Sequence, residues 1–285
     1  MKTNRNKLVM QSVQGRVHHP VMKGDGYRVG YDGMGRIPMA TGGITYNYQI
    51  GDSCMGIIGD HVEPSISMKN PVNEENCALM AFACIGNPAK IISGDAKGKT
   101  GFVTGKHGGI DHVMVYFPHE VLSEMCVDDT ILIKAYGQGL KLKDHPDIFL
   151  MNIDPDLFDQ LGIKEKDDIL QVPIVTRIPA FLMGSGLGCS TMMNGDYDIM
   201  SQDKQANETY GIDQLRFGDF VLIEDHDNQN GPHYLKGAVS IGVIVHSDSY
   251  TSGHGPGVTI IMSSKTGKIE GLPCKDANLA KFLVQ

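Results

Sequence analysis

Gly237-Ala-Val-Ser-Ile-Gly-Val-Ile-Val-His-Ser-Asp-Ser-Tyr-Thr-Ser-Gly-His-Gly-Pro-Gly-Val-Thr-Ile-Ile-Met262 sets two apolar segments on either side of a long polar loop. The first segment, Gly237 to Val245, alternates toward a buried strand, and Val258 to Met262 is a second, β-branched run. A hairpin needs only about two connecting residues. This loop is far longer, and long polar loops on rigid strands are where function concentrates. It carries His246, Ser247, Asp248 and His254, and Gly253, Gly255 and Gly257 bracket His254 and Pro256. Glycines there let the backbone take positive φ or lie against a ligand where a β-carbon would clash. Two imidazoles and a carboxylate form a metal-ligand set. The plainer alternative is a glycine-rich surface connection whose histidines satisfy backbone groups.

The rest of the chain supports many short strands. Its 285 residues include 35 glycines and 13 prolines, so turns are frequent and helix-rich folds are disfavoured. The expected class is mainly β, as packed small barrels or layered β-sheets with a few short helices. The length suits one large domain or two small ones. A formal charge of −8 disfavours a dedicated nucleic-acid surface, whose affinity would come from neutralising phosphates. The amino terminus lacks the continuous apolar core of a signal peptide, and no later run approaches membrane-spanning length, so a cytoplasmic protein is expected. Six cysteines form no Cys-x-x-Cys pair and read as core residues or incidental thiols.

Leu8 to Val17 reads as an opening strand, and residues 24–43 as a long glycine-rich loop or flap. In Gly59-Asp-His-Val-Glu-Pro64, an extended backbone would turn His61 and Glu63 to the same side, as two metal ligands. A helix is expected from Asn73, as N-cap, to Gly86-Asn-Pro88, with Ala78, Leu79, Ala81 and Phe82 as its apolar face. Ile91 to Lys106 then runs strand, Lys-Gly-Lys-x-Gly turn, strand, which resembles the KOW hairpin of ribosomal and transcription-factor barrels. Gly94 to Thr100 is one residue short of a P-loop, and no helix is expected after it. Gly105-Lys-His-Gly-Gly-Ile-Asp-His112 is richer. Its Gly108-Gly109 bend can present backbone N–H groups to an anion while Lys106 or His107 supplies charge or a proton.

Three segments share one form: an acidic turn feeding an apolar strand at Val127 to Ile133, Lys166 to Val172 and Phe217 to Ile223. The best division falls near Asn152, giving units 1–152 and 153–285 or one compact body. In the second unit, Asp154 and Pro155 open a short helix. The Gly184-x-Gly186-x-Gly188 run lacks a dinucleotide fingerprint, so no nucleotide cofactor is expected. Asp196 and Asp198, at i and i+2, share a face in extended chain, and paired carboxylates suit a divalent cation or acid/base work. His226 and His233 read as a solvated hairpin tip, and Asp276 to Val284 as a closing helix.

Taken together, Gly59 to Pro64, Ser93 to Gly98, Gly105 to Gly109, Ala135 to Leu140, Met183 to Gly186, Gly195 to Asp198, His246 to Ser249 and Gly253 to Gly257 resemble a prokaryotic family known as domain of unknown function 4438. The resemblance covers nearly the whole chain. It implies a mainly β, cytoplasmic, oligomeric protein, with a thermophile relative of the same architecture, and implies no activity. A fainter likeness is to the acetamidase/formamidase group of metal-dependent amidases, through Val172-Pro173 and Ile178-Pro-Ala-Phe-Leu182 ahead of Gly184 to Asp198. Gly186-Leu-Gly188 departs from it, offering no imidazole where that group has a histidine.

The functional expectation is a metal-dependent hydrolase or lyase acting on a small amide- or carboxylate-bearing metabolite. His246, Asp248 and His254, with His61 and Glu63, would hold a divalent ion such as zinc or manganese. His107 would carry a proton, Lys106 would orient an anionic group, and Asp196 and Asp198 would act as base or ligands. Gly108, Gly109, Ser185, Gly186 and Ser247 would contact the substrate. Two rivals belong to other classes: a non-catalytic ligand-binding or assembly protein, and an RNA-binding protein built on the KOW-like hairpin. A homo-oligomer is expected.

Overall fold

The computed structural model describes residues 1–22, 26–37 and 41–284. The fold is mainly β, and its first half closes into a six-stranded antiparallel barrel. Around the ring run Gln11–Val17, Thr130–Ala135, Pro88–Ile91, Thr100–His107, His112–Tyr116 and Ser65–Lys69. Arg16 opposite Lys69 and Val17 opposite Met68 join the last strand to the first. Period-two burial builds the interior: Val13 and Val17, Ala89 and Ile91, and Ile131, Ile133 and Ala135 point inward while their neighbours face out. Ile66, Met68, Val103, Val113 and Val115 complete this core. Closure leaves these strands no open edge. The KOW-like hairpin supplies two of the six.

The second half is built on a six-stranded sheet in the order Ile148–Leu150, Gly257–Ser264, His233–His246, Phe220–Asp227, Thr176–Ile178, with Tyr197–Asp198 also on Gly257–Ser264. A three-stranded sheet of Lys164–Lys166, Ile169–Ile174 and Ile269–Pro273 lies beside it. The repeated acidic turns share one device. Asp128, Asp167 and Gly218 have positive φ, and the next carboxylate caps the turn in two of the three: Asp129 accepts from Cys126 N and Asp219 from Arg216 N, each at 2.8 Å.

The barrel meets the sheet along Thr100–His107. Lys106 N donates to Thr259 Oγ1 at 3.2 Å, and that hydroxyl donates back to Lys106 O at 3.0 Å. Asn152, near the expected division, is an interior hub. It is fully buried, with its Nδ2 donating to Met192 O and Ile260 O and its Oδ1 accepting from Lys106 Nζ and Gln138 Nε2.

Several local expectations are corrected. The first helix is Asn73–Phe82 with Val72 at the N-cap; Asn70 Oδ1 accepts from Val72 N and does the local work expected of Asn73. The helix ends early because Asn87 Oδ1 captures Cys84 N, and its buried residues are Asn76, Leu79 and Met80, leaving Phe82 exposed. A helix at Lys204–Tyr210, capped by Asp203 and ended by Gly211 at φ 66°, lies in a stretch where none was expected. The closing helix is only Ala280–Leu283. His226 is buried, stacked on Tyr197, so the turn is not a solvated tip at that residue. Of the glycine-rich loop, residues 24–25 and 38–40 lie outside the described residues. Arg28–Val29 and Gly35–Arg36 form a small hairpin tied to the 246–257 loop by Tyr31 N donating to Tyr250 O at 2.9 Å. No helix among the described residues is long and apolar enough to cross a membrane.

Ile131 is fully buried in the barrel. Ile131→Ala is expected to cost about 2–5 kcal/mol through lost burial and the cavity left behind, measured as a lower urea midpoint at unchanged slope.

Candidate metal centre

Where barrel and sheet meet, six donor side chains converge from both halves of the chain. His107, Asp196 and His246 form one cluster and are all buried; His61, Asp198 and His254 form a second, in which both histidines are half-buried. Backbone pairing brings the two loops together. Ser247 N donates to Val62 O at 2.9 Å and Val62 N donates to Ser247 Oγ at 2.8 Å, seating the turn at His61 against the 246–257 loop. Tyr197–Asp198 pairs with Gly257–Val258, so Asp196 and Asp198 face the histidines while Tyr197 points to the opposite side.

Distances within and between the clusters are short. His61 Nε2 lies 3.0 Å from His254 Nδ1 and 3.5 Å from Asp198 Oδ2, and His254 Nδ1 lies 2.9 Å from the same oxygen. His246 Nε2 lies 2.8 Å from Asp196 Oδ2 and 3.5 Å from Asp198 Oδ1. Yet Asp196 Oδ2, Asp198 Oδ2 and His246 Nε2 are buried atoms without a hydrogen-bond partner. The 2.8 Å contact is close enough for a hydrogen bond but wrongly directed for one. Buried polar atoms are ordinarily satisfied, and these three, crowded together without bonding one another, suit a shared cation.

The outer nitrogens of the imidazoles fix which atom faces inward. His107 Nδ1 bonds Glu63, His246 Nδ1 donates to Ser247 O at 2.9 Å, and His61 Nδ1 lies 3.3 Å from Asp60 Oδ1. That is the arrangement by which carboxylates and carbonyls orient metal-binding histidines. Ser249 Oγ donates to Asp60 in turn. Burial opposes charge on His246, yet Asp196 and Asp198 hold its pKa well above the usual range. Burial likewise opposes ionisation of Asp198, and His246, His254 and His61 hold it well below. The cluster stabilises carboxylates beside cations.

Gly257 completes the fit. A β-carbon there would fall well inside van der Waals contact with Asp196 Oδ2 and His246 Nε2. The residue is glycine because the donors need that space. Beside the cluster opens a cavity of about 210 Å³ lined by Asp60, His61, His107, Gly108, Arg28 and Met22 among others.

The expected site residues therefore separate. His61, His246 and His254 face the cluster, and His107, Asp196 and Asp198 stand with them as donors. Glu63 stands behind, because His61 has φ 53° and the extended geometry that would align the two is absent. It is buried and bonded to His107, His112 and Ser67, and burial is overcome by His112 and His107, which hold its carboxyl well below the usual range. Asp248 turns away, its Oδ2 accepting from Gly56 N at 3.1 Å. Lys106 is fully buried and its Nζ donates to Asn152 and Met193 O, out of the cavity. Gly108 N does meet an anion, the protein's own Asp196 Oδ1 at 2.7 Å, and Gly109 lines the cavity. Ser185 holds Asp198 through its backbone, Asp198 N donating to Ser185 O at 2.8 Å, and Gly186 packs under Tyr197. Ser247 is a buried loop tie. Nothing in the sequence singles out Asp60, since a carboxylate in a turn is an ordinary cap; its place on the cavity wall marks it out.

Fold and site together define a two-part β protein, one barrel and one sheet, with a histidine–aspartate centre on their common boundary. The chain belongs to the DUF4438 family: the N-terminal domain of unknown function matches residues 27–159 and the C-terminal one residues 160–283. The crystal structure of TM1086 is similar, at 51% identity and TM-score 0.95, over 100% of this chain and 99% of that one. Comparison with curated proteins finds no match.

Proposed function

We propose that the protein is a metal-dependent hydrolase acting on a small polar, amide- or carboxylate-bearing metabolite. The observation that carries this reading is the convergence of buried, unpartnered donors, Asp196 Oδ2, Asp198 Oδ2 and His246 Nε2, beside an open cavity. Nitrogen and carboxylate donors suit zinc or manganese. A divalent ion held there supplies Lewis acidity toward a carbonyl oxygen and lowers the pKa of water. The cavity admits a small molecule and leaves its reacting end against His61 and His107. Both nitrogens of His107 are engaged, one by Glu63 and one by the cluster, so it serves as a ligand and not as the proton carrier. Asp60 takes that role. Its carboxylate lines the cavity without belonging to either donor cluster.

Elemental analysis of purified, tag-free protein tests the reading, followed by an amide, lactone and ester screen of the loaded form. Stoichiometric zinc or manganese with turnover supports it. A protein that takes up no metal when offered it, and binds an organic ligand unchanged, belongs instead to the non-catalytic class. Asp60→Asn is expected to lower kcat about 10²–10⁴-fold, the usual worth of a general base, when assayed at saturating metal, because Asp60 also holds His61 Nδ1. We place the protein in the cytoplasm, consistent with six free cysteines. We also infer a homo-oligomer, supported by exposed Val9, Ile37 and Ile58, to be measured by light scattering.

A further inference from the structure

We infer that the centre takes two divalent ions bridged by Asp198, a buried inner one and an exchangeable outer one; this rests on the metal reading above. Asp198 presents a different oxygen to each cluster: Oδ2 faces His61 and His254, and Oδ1 faces His246. One carboxylate shared in this way is how paired ions about 3.5–4 Å apart are commonly held. Each cluster then owns its remaining donors, His107, Asp196 and His246 on one side and His61 and His254 on the other.

Charge supports the same count. Asp60, Glu63, Asp196 and Asp198 are all buried within this small volume, and all four pair with histidines. Metal-binding imidazoles are neutral, and His112, which is in neither cluster, can offset only Glu63, so a single divalent ion would still leave a buried negative charge uncompensated. Two ions balance the four carboxylates, and uncompensated buried charge is strongly unfavourable.

The two positions differ in access. The inner donors are all buried, whereas His61 and His254 are half-buried and His61 borders the cavity. The outer ion is therefore the one that exchanges with solvent and meets an incoming molecule. It is also the weaker, having two histidines and a shared carboxylate in place of two histidines, Asp196 and a shared carboxylate.

The test uses the full-length protein stripped with chelator and titrated with Mn²⁺, followed by mass-spectrometric metal counting and electron paramagnetic resonance. The expected result is two equivalents per chain, the second at least tenfold weaker, with a spin-coupled manganese signal appearing only as the second is filled. His254→Ala is expected to keep one tight equivalent and lose the coupled signal. Because His254 is half-exposed, this variant keeps the buried scaffold; His61→Ala provides a second, independent removal of the outer site. Saturation of the wild type at one equivalent, or two equivalents retained by both variants, would overturn the two-ion centre while leaving the metal reading intact. No manganese or zinc bound at all would overturn both.

Discussion

Gly257→Ala is expected to fold and to lose at least 100-fold in metal affinity. The added methyl would enter the space between Asp196 Oδ2 and His246 Nε2, where the donors already lie 2.8 Å apart. Neither neighbour can give way cheaply. His246 is held from behind by Ser247 O, and the other oxygen of Asp196 by Gly108 N. Gly257 pairs with both Asp198 and His246 in the sheet, so a backbone shift there disturbs two donors together. Overpacking of this kind costs about 1–3 kcal/mol, which a domain of this size survives. Calorimetric titration with Zn²⁺ beside circular dichroism separates the outcomes: a normal β spectrum with normal affinity would mean that the glycine is incidental.

Lys106 provides the second large effect, on stability. Lys106→Ala is expected to cost about 3–5 kcal/mol, because it removes the buried stem and leaves polar partners behind at Asn152 and Met193. Lys106→Met is expected to recover most of that loss by refilling the volume without a buried amine. A catalytic lysine would show the reverse pattern, with both variants stable and inactive. The pH dependence follows from burial, which lowers the Lys106 pKa from 10.5 to about 8. Between those values the unfolded chain holds a proton that the folded chain has released, so the native state gains as pH rises. Wild type should therefore gain on Lys106→Met between about pH 8 and 10.5, seen in paired urea titrations in which surface lysines cancel.

The parts of the site that were legible in the sequence are those with short-range geometry. Asp196 and Asp198 share a face because a strand alternates, and the glycines around His254 mark a backbone in tight quarters. The mainly β architecture followed from glycine, proline and β-branched residues, and the KOW-like hairpin from its turn. What stayed hidden depends on long-range placement. The left-handed backbone at His61 turns Glu63 away from the cluster and onto His107, which nothing within Gly59 to Pro64 announces. Lys106 and His107 are adjacent in sequence but point to opposite sides of one strand, one into the Asn152 hub and one into the centre. Asp248 looked equivalent to its neighbours until the 54–56 loop claimed its carboxylate. The Asn73 helix is the local exception: it differs at its ends because the neighbouring asparagines Asn70 and Asn87 take over the termini.

The centre draws His61 and His107 from the barrel half and Asp196, Asp198, His246 and His254 from the sheet half. Neither half alone holds a complete cluster, since the inner one lacks His107 without the barrel and the outer one lacks His61. Such a protein cannot be improved by shuffling: exchanging either half for an unrelated domain, however stable, discards the chemistry of both. Inheritance must carry the halves as a pair, and a change in how they dock is a change in the donor set itself.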